Sequence, residues 1–145
     1  MNKKQKSLTN KGFSLVELII VIAIMAVLIG VLAPQYVKYL DKSKISADTQ
    51  LADSVHSAIT NTMLDPAVTA PAVMTAADTL PDADENDFWK NVYEILGETT
   101  ASGLTGKLKY DTAGTIQYQI LANNKVTVTI TGGKYTTNSK TITIN

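Results

Sequence analysis

The stretch Lys11-Gly12-Phe13-Ser14-Leu15-Val16-Glu17-Leu18-Ile19-Ile20-Val21-Ile22, continuing through Gly30 to Ala33-Pro34, decides the architecture of this chain. From Leu18 to Ala33 there is no polar side chain at all. Counted from Phe13, the apolar run to Ala33 is interrupted only by Ser14 and Glu17. A helix needs about 20 mostly apolar residues to cross roughly 30 Å of hydrocarbon, and the run from Phe13 to Ala33 meets that length. Eleven of the residues between Leu18 and Ala33 are Leu, Ile or Val. At about −0.3 to −0.6 kcal/mol each they sum to roughly −5 kcal/mol, against about +2.5 to +3.5 for a central acid. Glu17 lies near the end, where the cost is smaller. Insertion wins.

Upstream of the run, Lys3, Lys4, Lys6 and Lys11 all precede Phe13 in a head that contains no acid. Such a head stays on the cytoplasmic side by the positive-inside rule. Without it, the remaining nine lysines face 13 acids, so the body is mildly acidic. The whole 145-residue chain is formally neutral and all 13 of its cations are lysine. No basic surplus exists to displace counterions from phosphate, so no specific nucleic-acid site is evident. With no cysteine and a single histidine, His56, thiolate zinc sites, cysteine nucleophiles and multi-histidine metal centres are excluded. The chain reads as a non-enzyme, and no cofactor is implied.

Three readings of the N-terminus compete. A secretory signal peptide has its small-residue cleavage site after the apolar core. Only Ala33 is placed for that, and Pro34 follows it. A plain signal anchor explains everything except Glu17, an acid that asks for a partner charge inside a membrane segment. No lysine lies in the run, so that partner comes from another chain, unless Glu17 simply snorkels to the interface.

The residues from Lys11 to Ile22 resemble the prepilin signature of type IV pilins. The resemblance is close from the start of the chain to about Gln50, Pro34 included. It implies that a dedicated prepilin peptidase and N-methyltransferase cuts between Gly12 and Phe13 and methylates the new Phe13 amine. It also implies that Glu17, at the fifth mature position, acts in subunit assembly. A cationic amine at Phe13 of one subunit can pair with Glu17 of its neighbour, and pairing offsets the penalty of two charges in hydrocarbon.

Beyond Pro34, Val37, Leu40, Ala47, Leu51, Val55, Ala58, Ile59 and Met63 keep three-to-four spacing, with Asp41, Lys42, Lys44, Asp48 and Asp53 placed on other faces. Lys44 falls on the apolar stripe and weakens it locally. One helix is expected from Ser14 to Leu64, about 75 Å long, ended by Asp65-Pro66. Proline at 34 removes the donor that would bond back to Gly30, so Gly30 and Pro34 mark an expected kink or extended stretch. Residues 65–86 read as loop. A short helix is expected over 87–96, with Asn86 or Asp87 capping it and Gly97 ending it. Trp89 reads as core.

The segment 105–145 reads as an antiparallel sheet of three or four strands. Lys107-Leu108-Lys109-Tyr110 is the expected first strand, followed by Ile116–Ile120, Val126–Thr131 and Thr141–Ile144. Tight turns are expected at Asn123-Asn124 and Gly132-Gly133. The fold class is therefore α+β, a long N-terminal helix packed on a C-terminal antiparallel sheet, as in the pilin fold. Its parts are a leader at 1–12, a transmembrane and filament-core helix at 13–34, and a head at 35–145 whose helical half is 35–64.

Asp82-Ala83-Asp84-Glu85-Asn86 matches the first ligand positions of an EF-hand loop, but Asp87 stands where glycine is required and Tyr93 where glutamate is. It reads as a solvated acidic loop, with no metal site. The family resemblance implies a homopolymeric helical filament, held by the lipid bilayer before assembly and built by an inner-membrane assembly platform. The product is a surface fimbrium serving adhesion, surface motility or biofilm formation. The alternative is a pseudopilin of a type II secretion or competence system. Secretion pseudopilins typically carry Arg-Tyr-Pro and Pro-x-Asp-Pro-Trp segments, which this chain lacks. Many pilins of double-membrane bacteria close a C-terminal loop with a disulfide. Without cysteine, this chain resembles the Gram-positive, clostridial type of major pilin instead.

Overall fold

The computed structural model describes residues 12–145, so the leader lysines lie outside the described residues. The chain divides into two units, one ending at Tyr39 and one running Leu40–Asn145. Helix α1, Leu15–Met63, starts and stops within one residue of the expected ends and runs without interruption through Pro34. It ends in a turn: the Asp65 amide donates to the Thr62 carbonyl at 3.2 Å, and Asp65 Oδ1 accepts from the Ala67 amide at 2.9 Å. All of the described residues before Leu40 are exposed.

In the second unit the elements follow as β1 (Asp78–Thr79), α2 (Asp87–Leu96), α3 (Ala101–Thr105), β2 (Thr115–Ile120), a short turn of helix at Ala122–Asn124, β3 (Val126–Thr131), α4 (Gly133–Thr137) and β4 (Ile142–Ile144). The strands form one antiparallel sheet in the order β1-β2-β3-β4. Cross-strand pairs Ile116–Ile130, Tyr118–Val128 and Ile120–Val126 set the register, and all six side chains are buried on one face. The intervening Thr and Gln residues occupy the other face, as period-two alternation requires. The buried face joins Ala52, Val55, Ala58 and Ile59 of α1 and Phe88, Trp89, Val92 and Tyr93 of α2 in a single core.

Helix α2 has the expected bounds because both ends are chemically marked. Asn86 Oδ1 accepts from the Trp89 amide at 3.1 Å. Gly97 adopts left-handed φ of 67°, letting the Glu98 amide reach the Tyr93 carbonyl. Trp89 is core, with Phe88 and Tyr118 meeting its ring edge to face at 5.3 and 4.7 Å.

Four expectations are corrected. Lys107–Tyr110 is not a strand: Asp48 of α1 accepts its backbone amides at Lys109 and Tyr110, so they are not available to a ladder. The first strand is Asp78–Thr79, inside the stretch read as loop, and it exists through its pairing with Tyr118 and Gln117. Gly132-Gly133 does not make a tight hairpin. Both glycines have positive φ, but they lead into α4, whose Tyr135 is fully buried. The fourth correction is Asp48 itself, which is 1 % exposed, not on a solvated face. The buried positions follow 48, 52, 55, 59 and 62, one notch from the Ala47–Leu51 line, and Ala47 is exposed. Asn123 and Asn124, by contrast, take the left-handed φ values of 64° and 57° that their turn requires.

Candidate functional site

The first unit carries the residues around the expected cleavage point. Gly12 is exposed and Phe13 is 94 % exposed. A Cβ built on Gly12 or on Gly30 would meet nothing within 4 Å. Neither glycine is required by packing against the described residues.

Ser14 and Glu17 form a reciprocal cap at the start of α1. Glu17 Oε2 accepts from the Ser14 amide at 2.8 Å, and Ser14 Oγ accepts from the Val16 amide at 3.3 Å. The Ser14 carbonyl takes the Leu18 amide at 3.2 Å. Helix starts leave four amides without partners, and a Ser-x-x-Glu box satisfies two of them, one from each side chain. This role was missed in the sequence, where Ser14-Leu15-Val16-Glu17 ahead of an apolar run is its signature. The cap holds the Glu17 carboxylate over the first turn, close to the Phe13 end. A negative charge there is favoured by the helix dipole.

Past the cap, the apolar side chains are exposed, with no partner among the described residues. Leu18, Ile22, Leu28, Val31 and Leu32 are each more than half exposed. Isolated soluble proteins rarely leave such contiguous surface bare. By length and composition α1 is able to cross a membrane.

The second unit is organised around a different acid. Asp48 Oδ1 accepts from the Lys109 amide at 2.7 Å, and Oδ2 accepts from the Tyr110 amide at 2.8 Å and the Tyr135 hydroxyl at 2.6 Å. One carboxylate thereby joins α1, the 107–110 turn and α4. Burial first, then the bond to Asp48, pushes the Tyr135 phenol far above its usual range. Asp111 ties the same region from outside, accepting from the Lys134 amide at 2.7 Å and the Ala113 amide at 3.1 Å. Those two bonds hold its carboxyl below the usual range.

The acidic loop is used locally. Asp82 Oδ1 accepts from the Ala101 amide at 2.7 Å, and Asn86 caps α2. Among the described residues there is no group of three or more His, Asp or Glu arranged to hold a metal ion. His56 is half-buried, its Nε2 lying 3.2 Å from the Val126 carbonyl.

Comparison with known proteins bears on the same residues. The family described as the prokaryotic N-terminal methylation motif matches residues 8–33. A type IV major fimbrial protein of Dichelobacter nodosus is 32% identical over 125 residues, covering 86% of this chain and 77% of that protein. A fimbrial protein of Moraxella nonliquefaciens is 32% identical over 101 residues, 70% of this chain and 65% of that one. A type IV major pilin of Neisseria gonorrhoeae is 31% identical over 105 residues, 72% of this chain and 64% of that one. No solved structure matches. The long capped apolar helix, the four-stranded head and these relatives agree, and the chain belongs to the type IV pilin family.

Proposed function

We infer that this chain is a structural subunit of a type IV pilus, anchored in the membrane as a precursor and polymerised through its N-terminal helix into a surface fimbrium. The observation that carries this is the unpartnered apolar face of α1, which begins at a methylation motif. In this reading, residues 1–12 are the leader, removed between Gly12 and Phe13 by a prepilin peptidase that also methylates Phe13. Residues 13–34 are the single membrane pass and then the filament core, and 35–145 the head outside the cytoplasm. An inner-membrane platform assembles the subunits. Glu17 pairs with the neighbour's amine, and the lost hydrogen bond at Pro34 makes Gly30–Pro34 the place where the helix yields during packing. The clostridial-type reading has the absence of cysteine behind it and the Gram-negative origin of the three relatives against it. Electron microscopy of material sheared from producing cells tests the filament. Single anchored subunits with no fibres would refute it.

The second unit is expected to fold by itself. A fragment beginning at residue 39 lacks nearly all of the contiguous apolar surface yet keeps the stripe from Asp48 to Thr62. It should be monomeric in sedimentation and melt cooperatively, indifferent to reductant and to calcium. A melting temperature raised strongly by calcium would show that the Asp82–Asn86 loop holds an ion after all.

A further inference from the structure

In the first unit, the apolar run gives way to a short group of different character. After Ala33 and Pro34 come Gln35, Tyr36, Val37, Lys38 and Tyr39. Tyr36 is 64 % exposed and Tyr39 70 %, and Lys38 is exposed as well. Of the nine lysines beyond residue 12, Lys38 alone belongs to this unit. No acid stands between Glu17 and Asp41, and Lys38 is in no ion pair among the described residues.

Helix α1 passes Pro34 without interruption, so depth along it follows from residue count. Tyr36, Lys38 and Tyr39 lie 21, 23 and 24 residues past Leu15, the first helical residue. At 1.5 Å per residue that is about 32, 35 and 36 Å along the axis. The hydrocarbon of a bilayer is about 30 Å thick, and about 40–45 Å with headgroups, so each headgroup layer adds about 5–7 Å. A helix that starts at one hydrocarbon boundary therefore carries all three side chains in the headgroup layer of the other.

Both residue types suit that layer. A phenol ring rests on the acyl boundary with its hydroxyl in water, and tyrosines collect at membrane interfaces for that reason. A lysine lays its methylene stem along apolar surface and brings three donors to phosphate oxygens. Direction favours lipid over a protein neighbour. At 3.6 residues per turn, Tyr36 and Lys38 point about 160° apart around α1. A protein surface docks on one face, whereas headgroups surround the helix. Cleavage before Phe13 removes Lys3, Lys4, Lys6 and Lys11, the cations at the inner end. The outer end is then what fixes the depth of the run. Resting on the pilus reading above, we propose that Tyr36, Lys38 and Tyr39 form a phospholipid-headgroup anchor at the outer face of the membrane. It holds the cleaved subunit at the depth from which Glu17 meets its partner.

The chain has no cysteine, so one introduced thiol takes one nitroxide label. Subunit carrying Val37→Cys or Ile24→Cys is extracted from membranes of producing cells, labelled, and returned to vesicles of phosphatidylethanolamine and phosphatidylglycerol. Depth is read from collisions with oxygen against collisions with a water-soluble nickel chelate. The label at position 24 should lie near the bilayer centre, and the label at position 37 at the level of the phosphates. Tyr36→Ala with Tyr39→Ala, and separately Lys38→Glu, should each move the label at position 37 by about 5 Å, one headgroup layer. Lys38→Arg should leave it in place. A label at position 37 that sits in bulk water or among acyl chains, or that neither change moves, overturns the anchor and leaves the pilus reading intact. A double tyrosine variant that keeps its depth but yields no filaments assigns the residues to contact with a second copy, and also overturns the anchor. A label at position 24 open to the nickel chelate overturns the membrane reading itself.

Discussion

Glu17→Ala should abolish or nearly abolish filaments while membrane insertion and leader removal continue. Removing the acid makes the segment more apolar, so insertion improves. What fails is docking, because a buried amine without its counter-charge costs several kcal/mol at every subunit contact. The cap at the start of α1 gives a second way for the same variant to fail. Glu17 also satisfies the Ser14 amide, and losing a helix cap costs about 0.5–2 kcal/mol. Two further variants separate these roles. Glu17→Gln can still reach back to Ser14, as capping boxes use either residue, but it carries no charge. Ser14→Ala removes the hydroxyl cap and keeps the charge. If pairing dominates, Glu17→Gln is impaired, though less than Glu17→Ala, and Ser14→Ala assembles close to normally. The readout is filament yield relative to cleaved subunit in the membrane. Normal filaments from Glu17→Ala would mean that apolar packing alone sets the register.

The second large effect is expected at Asp48. Asp48→Ala leaves the Lys109 and Tyr110 amides and the Tyr135 hydroxyl without their acceptor in a buried site. Hydrogen bonds to a charged group are worth about 1.5–3 kcal/mol each, and stranded buried donors add to the loss. Some of that is recovered by local rearrangement and water, so about 4 kcal/mol of destabilisation is expected. For a domain of this size that lowers Tm by roughly 15–30 °C, read by calorimetry on the fragment starting at residue 39. Asp48→Asn keeps one acceptor and should fall between the two. A loss below about 1 kcal/mol, the level of a single ordinary hydrogen bond, would show that the three-way junction is not what holds α4 to α1. The phenols give a pH signature. Tyr93 is pushed up to about 12 by burial and the nearby Asp82 charge, and Tyr135 is raised further. Neutral phenols are thus favoured in the folded head. Their contribution is complete below the unfolded value near 10 and is lost as pH climbs toward the folded values, so unfolding should set in on the alkaline side.

The parts of this fold that sequence made legible are those whose cause is local. Helix α2 is bounded by a cap residue and a left-handed glycine. Strands β2 and β3 alternate strictly and are joined at two asparagines that accept positive φ. What was not legible is set by partners distant in sequence. Asp78–Thr79 has no pattern of its own and becomes a strand only beside Tyr118 and Gln117. Lys107–Tyr110 has a strand-like pattern, but its amides go to a carboxylate 61 and 62 residues away. Asp48 was readable in principle, since an acid three or four positions from Ile45 and Ala52 lies on the stripe that must be buried. The Ser14–Glu17 cap was readable too, from four adjacent positions.

The central claim is that α1 is released from its leader to become the packing element of a filament. Intact-mass analysis of the subunit in sheared surface fibres tests it most directly. The account predicts a chain that begins at Phe13 and carries one added methyl group on its amine. A subunit that retains Lys3 to Gly12, or one that begins after Ala33, would contradict it.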